Sequence, residues 1–319
     1  MTTTSLRAES ELIPRLEVGE RIETGFRWVK DNLGGFFKAI RDILDGAVNG
    51  LSDLLNTPDA LLLAGLLALL AWFVKDIKFG LLALAMLVFV IGVDQWENAM
   101  DTLSMVLVAA VVALVIAIPL GIMAARSARV SAVVRPIMDL MQTMPAFVWL
   151  VPVVSLFSIG VAPGVVATVI FCLPPGVRLT ELGIRGVDSE VVEAGHSFGS
   201  SPWQILRGIQ IPLAMPTIMA GVNQVIMLAL SMAVIAGLVG APGLGAAVAT
   251  SIARIDIGLG FEAGLSVVAL AIFLDRLTAA VGQRDGKRRP SLAILRRKKN
   301  PVPAVAAAAG TSGAAGQGD

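Results

Sequence analysis

Glu193-Ala194-Gly195, then Gly199, and ten residues further Ile209-Gln210-Ile211-Pro212 lie between two long apolar stretches. A polar, helix-forming loop in that place is folded structure outside a bilayer. Asp188 and Ser189 are N-cap residues, and Glu190 and Glu193 put negative charge at the positive end of a helix. That helix should stop at Gly199, the residue best able to take the left-handed C′ conformation. A second helix should start at once, with Ser201 as N-cap, Pro202 at N1 and Gln204 at N3, a capping box. Pro212 and Pro216 are then expected to end the segment before the next apolar run. The result is two short helices joined by a sharp bend, a shape that fits a groove on a partner. An ordinary amphipathic loop with no docking role carries the same capping signals.

Outward from the loop, the chain is dominated by apolar sequence. Of 319 residues, 56% are hydrophobic and 15% charged, and the mean hydropathy is +0.80. A soluble fold cannot hide that much apolar surface, so lipid is the expected solvent. The net charge of +1 gives no argument for nucleic acid. Roughly 20 residues cross a hydrocarbon core of about 30 Å. On that scale the spans are Ala60 to Val74, Phe79 to Val93, Thr102 to Ala125, Met215 to Val239 and about Ala263 to Val281. Leu140 to Val177 is too long for one helix and should split at Gly160 and Pro163-Gly164 into two, making seven in all.

Loops rich in Lys and Arg stay in the cytoplasm. Lys75 and Lys78 mark one such loop, Arg126, Arg129 and Arg135 a second, and Arg178, Arg185 and Arg207 the helical loop itself. Asp94 to Asp101 holds acids without Lys or Arg and reads as outside, whereas the tail from Arg284 to Lys299 is strongly basic. The consistent solution is an N-terminus outside and a C-terminus in the cytoplasm. Arg254, predicted outside, dissents.

The chain divides into residues 1–58, polar and amphipathic, 59–283, membrane-spanning with the loop at 181–216, and 284–319, basic and then Ala/Gly-rich and expected to be disordered. From Phe26 to Leu55 apolar residues recur at helical spacing, with Gly34, Gly35 and Gly50 expected to weaken or break the helix. That segment reads as a helix at the membrane surface or as a scaffold packed on the spans. No cleavable leader is expected, because the first forty residues are charged.

The order Glu193-Ala194-Gly195, Gly199, Ile209-Gln210-Ile211-Pro212 resembles the cytoplasmic coupling loop of ABC importer permeases. Gly195 stands where a second Ala is usual and Ile211 where Leu is usual. The runs Ile211-Pro-Leu-Ala-Met-Pro-Thr-Ile-Met-Ala-Gly-Val-Asn-Gln224, Leu228-Ala-Leu-Ser-Met-Ala-Val234 and Ile272-Phe-Leu-Asp-Arg-Leu-Thr278 are similar to the permeases of glycine betaine/proline importers. The resemblance covers about Asp101 to Gln283. It implies an all-α integral membrane protein of the type I importer permease kind, with about seven transmembrane helices and an N-terminal amphipathic extension, in the bacterial inner membrane. It implies ATP-driven uptake of compatible solutes (glycine betaine, proline betaine, proline, choline or carnitine) by alternating access, in osmoprotection. The implied partners are a second permease copy, two cytoplasmic ATPase subunits and an extracytoplasmic substrate-binding protein. Methionine, polyamine and phosphonate permeases share the loop. A secondary transporter or channel would more often show paired intramembrane charges or inverted repeats.

The chain carries no Gly-x-x-x-x-Gly-Lys-[Ser/Thr] phosphate loop, so ATP and Mg are expected on the partner ATPase and no cofactor on this chain. His196 and Cys172, the single His and Cys, cannot form a zinc site, and no nucleophile–base pair is evident, so no catalysis is expected. The resemblance implies that the ATPase-coupling residues are Glu193, Ala194, Gly195, Gly199, Pro202, Ile209, Ile211 and Pro212. For the substrate pathway, Trp149 with Phe147 and Phe157 offers a π face to a quaternary ammonium ion, or Trp149 faces lipid or packs between helices; Pro145 and Pro152 could open that helix. Asn223 is an intramembrane polar residue, a pathway candidate or an interhelical hydrogen-bonder.

Overall fold

A computed structural model of the chain describes residues 17–282, all helix and connection with no strand among the described residues. The basic and Ala/Gly-rich tail expected at 284–319 lies outside them. The elements are α1 (Val18–Asn56), α2 (Ala60–Val74), α3 (Ile77–Gly92), α4 (Trp96–Arg126), α5 (Ala128–Thr143), α6 (Ala146–Phe157), α7 (Val161–Arg185), α8 (Ser189–Ser197), α9 (Pro202–Ile205), a π-helical segment Leu206–Gln210, α10 (Ile211–Ala236), α11 (Leu244–Arg254) and α12 (Ile257–Gly282).

α7 is the axis of the bundle. Its glycines allow close approach: a Cβ on Gly176 would stand 2.8 Å from the Ala117 Cβ of α4, and one on Gly121 of α4 would stand 2.5 Å from Thr180 Cβ. These pairs advance together in number, so α4 and α7 run parallel. Gly183 meets Ala214 and Thr217 while Gly164 meets Ala236, the reverse order, so α10 runs antiparallel to α7. In lipid there is no hydrophobic drive between helices, and small residues at the seam let dispersion contacts hold them. The outer faces keep large apolar side chains exposed, among them Phe73, Val115 and Val151, as a hydrocarbon solvent permits.

Each expected span falls on a helix, with differences of length. α4, α7, α12 and the continuous rod Pro202–Val239 are long and apolar enough to cross alone, and bent pairs raise the number of crossings to as many as six. α2 and α3, at 15 and 16 residues, rise only about 22–24 Å, short of the ~30 Å core. The apolar run from Leu140 to Val177 does divide at Gly160. Its first part is a 12-residue α6 set at 100° to α5, because Met144 is extended before Pro145, as the residue before proline prefers.

α1 turns 101° from α2 and belongs to the same compact unit as the spans. The helix kinks at Leu33, directly before Gly34-Gly35 where weakening is expected, and runs unbroken through Gly50. Leu44 and Val48 are buried in the main core, and Phe37 meets Phe157 edge-on at 5.4 Å. The Asp45 carboxylate accepts the Ala162 N–H at 2.9 Å, capping α7 from 117 residues away, and the Ser52 hydroxyl donates to Asp101 near the start of α4. The second half of α1 is thus a scaffold across the N-terminal ends of α4 and α7, while Trp28 and Phe36 stay exposed.

Candidate functional site

At the opposite end of α7 the chain leaves the bundle through Gly186 and enters the loop. The Asp188 carboxylate accepts the Glu190 N–H at 2.9 Å and starts α8. At its other end Gly199 has φ +77, and its N–H donates to the His196 carbonyl at 2.9 Å while the Ser200 N–H donates to Gly195 at 3.1 Å. These two bonds make a Schellman motif, and the left-handed residue in it is the predicted glycine. Ser201 and Gln204 then form the predicted capping box, with bonds of 3.4 and 2.7 Å and Pro202 at N1. Two helices therefore meet at a hydrogen-bonded corner, with little freedom at the joint.

The inside of the corner is filled by Gly195, which is buried; a Cβ there would lie 2.9 Å from Ile209 Cδ1 and 3.3 Å from Ile205 Cγ1. The absence of a side chain at 195 lets α8 press directly on the two isoleucines. Glu193 and Ala194 are exposed, as is Pro202. Two exposed residues escaped notice in the sequence, Phe198 at 88% and Trp203 at 59% exposure, one on each side of Gly199. The available signal was composition: two large aromatic side chains in a loop whose other residues are mostly polar or small. Two large aromatic side chains left exposed on the bent pair make it a candidate contact surface.

Pro212 and Pro216 do not terminate the segment as expected. The helix from Pro202 runs without a break to Val239. Its turn Leu206–Gln210 is π-helical, with the Ile211 N–H bonded to the Leu206 carbonyl five residues back. A proline ring clashes with the carbonyl four residues before it in an α-helix, and the wider turn relieves that clash at Pro212. Ile209 and Ile211 are half-buried in this rod. The loop proper is consequently shorter than residues 181–216, since Glu181 is still in α7 and Pro216 already in α10.

The three pathway residues separate. Trp149 and Phe147 line a cavity of about 700 Å³ with Phe26, Glu23 and Ser155, and the indole N–H donates to the Met141 carbonyl at 3.3 Å. Pro152 lies inside α6 without opening it; the bend is at Pro145. Asn223 borders a different and smaller cavity. Its amide N–H donates to Asp275 at 3.0 Å and its carbonyl accepts from Thr278, tying α10 to α12. That places it in the interhelical role weighed from the sequence, away from Trp149.

The chain is thus a bundle of helices long and apolar enough to cross a membrane, with a hydrogen-bonded bent pair at one end. Residues 117–285 match the binding-protein-dependent transport system inner membrane component family, and the chain belongs to it. It is 48% identical over 268 residues to the glycine betaine/proline betaine transport system permease protein ProW of Escherichia coli (strain K12), covering 84% of this chain and 75% of that one. The glycine betaine transport system permease protein OpuAB of Bacillus subtilis (strain 168) is 43% identical over 276 residues, 86% of this chain and 98% of its own. Among solved structures, an inward-facing form of the MetNI methionine ABC transporter matches with TM-score 0.54 at 20% identity, over 58% of this chain and 93% of that chain. At that identity the match speaks for the fold alone. The chain is an ABC-type permease, a transport subunit of the inner membrane.

Proposed function

We propose that this permease imports compatible solutes, glycine betaine and proline betaine first among them, by alternating access driven by a separate ATPase that binds ATP and Mg. The observation that carries the coupling half of this reading is the hydrogen-bonded corner at Gly199 with Phe198 and Trp203 exposed beside it. ATPase closure would move α8 and α9 as one piece, and the spans would rock with them. One chain offers one bent pair, so two ATPase subunits require two permease copies. An extracytoplasmic binding protein would deliver substrate at the end where α1 crosses the bundle. The loop then faces the cytoplasm and the N-terminus the outside. Names of relatives support the substrate class, since those proteins carry glycine betaine.

Trp149 and Phe147 are proposed as the π surface for the quaternary ammonium group. Their cavity, at about 700 Å³, has room for a trimethylammonium group. Uptake of radiolabelled glycine betaine by cells carrying the complete system, with and without osmotic stress, tests the substrate. Trp149→Ala should lower flux about tenfold, in line with ~1–2 kcal/mol for a partly desolvated cation–π contact, while assembly is intact. Unchanged flux would remove Trp149 from the pathway.

A further inference from the structure

Glu181 lies one turn before the end of α7, and its side chain is only 5% exposed. One carboxylate oxygen, Oε1, accepts the Ser131 hydroxyl at 2.8 Å and the Arg135 guanidinium at 2.9 Å, both from α5, and stands 3.1 Å from Arg185 Nε on α7 itself. Arg185 also donates to the Ala124 carbonyl in the last turn of α4 at 2.7 Å. The buried carboxylate is paired through this one oxygen, with the Arg135 and Arg185 side chains 58% and 38% exposed, and a paired buried group resists separation from its partners. The ends of α4, α5 and α7 are therefore fastened at one point. Three residues after Arg185 comes Asp188, the N-cap of α8. In the other direction, α5 leads through its 100° bend into α6, which carries Trp149 and borders the large cavity. A second pair, Arg178 with Asp139, also joins α7 to α5, but its side chains are 41% and 62% exposed, where an ion pair contributes little.

The geometry points to Glu181 as a positioning residue, the fastening through which displacement of α8 is passed to α5 and α6 and so to the cavity. This rests on the reading of α8 and α9 as ATPase-driven. Glu181 touches neither the exposed aromatics of the loop nor the cavity, so its effect is on transmission. Removing its charge should leave ATP hydrolysis in place and disconnect it from movement in α6.

The test reconstitutes the full complex in proteoliposomes with its ATPase subunits and binding protein. Ser155→Cys in α6 reports aqueous thiol labelling against a buried native Cys172. In the otherwise wild-type protein, ATP should change the Ser155→Cys labelling rate. Adding Glu181→Gln should reduce that ATP-dependent change by about 2- to 30-fold, the span typical of mutations along a coupled element, with hydrolysis retained. Ser131→Ala, which deletes only a neutral donor, should give a smaller loss in the same direction and decides the matter if Glu181→Gln fails to assemble. An unaltered ATP-dependent change in these variants, or hydrolysis falling in proportion with it, would overturn the inference. Failure of the wild-type complex to import glycine betaine would instead count against the substrate, because the labelling readout does not depend on which solute is carried.

Discussion

Gly199 and Gly195 are required for different physical reasons. At Gly199 the space around a Cβ is open but φ is +77, so the restriction is conformational. A β-branched residue there costs about 1–3 kcal/mol of backbone strain. Gly199→Val should therefore uncouple uptake from ATP hydrolysis while the protein still inserts, and Gly199→Asn, which tolerates the left-handed region, should restore most uptake. At Gly195 the restriction is space. Gly195→Ala needs the flexible end of Ile209 to shift and Ile205 Cγ1, at 3.3 Å, to give by a few tenths of an ångström, and should be mild, which agrees with alanine being usual at this place in the resembling loop. Gly195→Leu should separate α8 from Ile205 and Ile209 and abolish uptake. In the loop, Phe198 and Trp203 are the exposed aromatic side chains. Truncating either to Ala should weaken ATPase-subunit binding by about 30-fold or more, the size of a ~2 kcal/mol anchor, measured by titrating the subunit onto permease in nanodiscs.

Much of the loop was legible because its signals are local. Asp188, Ser201 and Gln204 act within three residues of themselves, and a left-handed glycine announces itself by type. What was not legible depended on distance or on competition between rules. The proline rule for Pro212 and Pro216 is sound for an α-helix, yet a π turn ahead of Pro212 removes the clash on which it rests. The scaffold role of α1 hinges on Asp45 finding Ala162, a partner no periodicity reveals. Glu181 likewise reads as one more acid near a loop until Ser131, Arg135 and Arg185 close around it. The cap offers a test at this scale. Asp45→Ala should destabilise the N-terminal end of α7 by about 1 kcal/mol. Hydrogen exchange at the first turn of α7 should then rise while the coupling end is unchanged. Equal protection in both forms would deny that α1 holds that end.

At the level of the whole chain, α7 has α1 fastened at its N-terminal end and the bent pair issuing from its C-terminal end. At 25 residues it rises about 37 Å, enough to put those two features on opposite faces of a bilayer core of ~30 Å. The apolar girdle between them and the small-residue seams within follow from lipid as the solvent. With one bent pair per chain, the intact complex should contain two permeases and two ATPase subunits, and native mass spectrometry should find that ratio. The central claim is that the corner at Gly199 stands in the cytoplasm and is held there by the ATPase. His196→Cys places an exposed thiol on α8, and the native Cys172 is buried. Labelling with a membrane-impermeant maleimide in sealed vesicles should modify position 196 only when the cytoplasmic face is outward, and bound ATPase subunit should block it. Labelling from the exterior face would contradict the account.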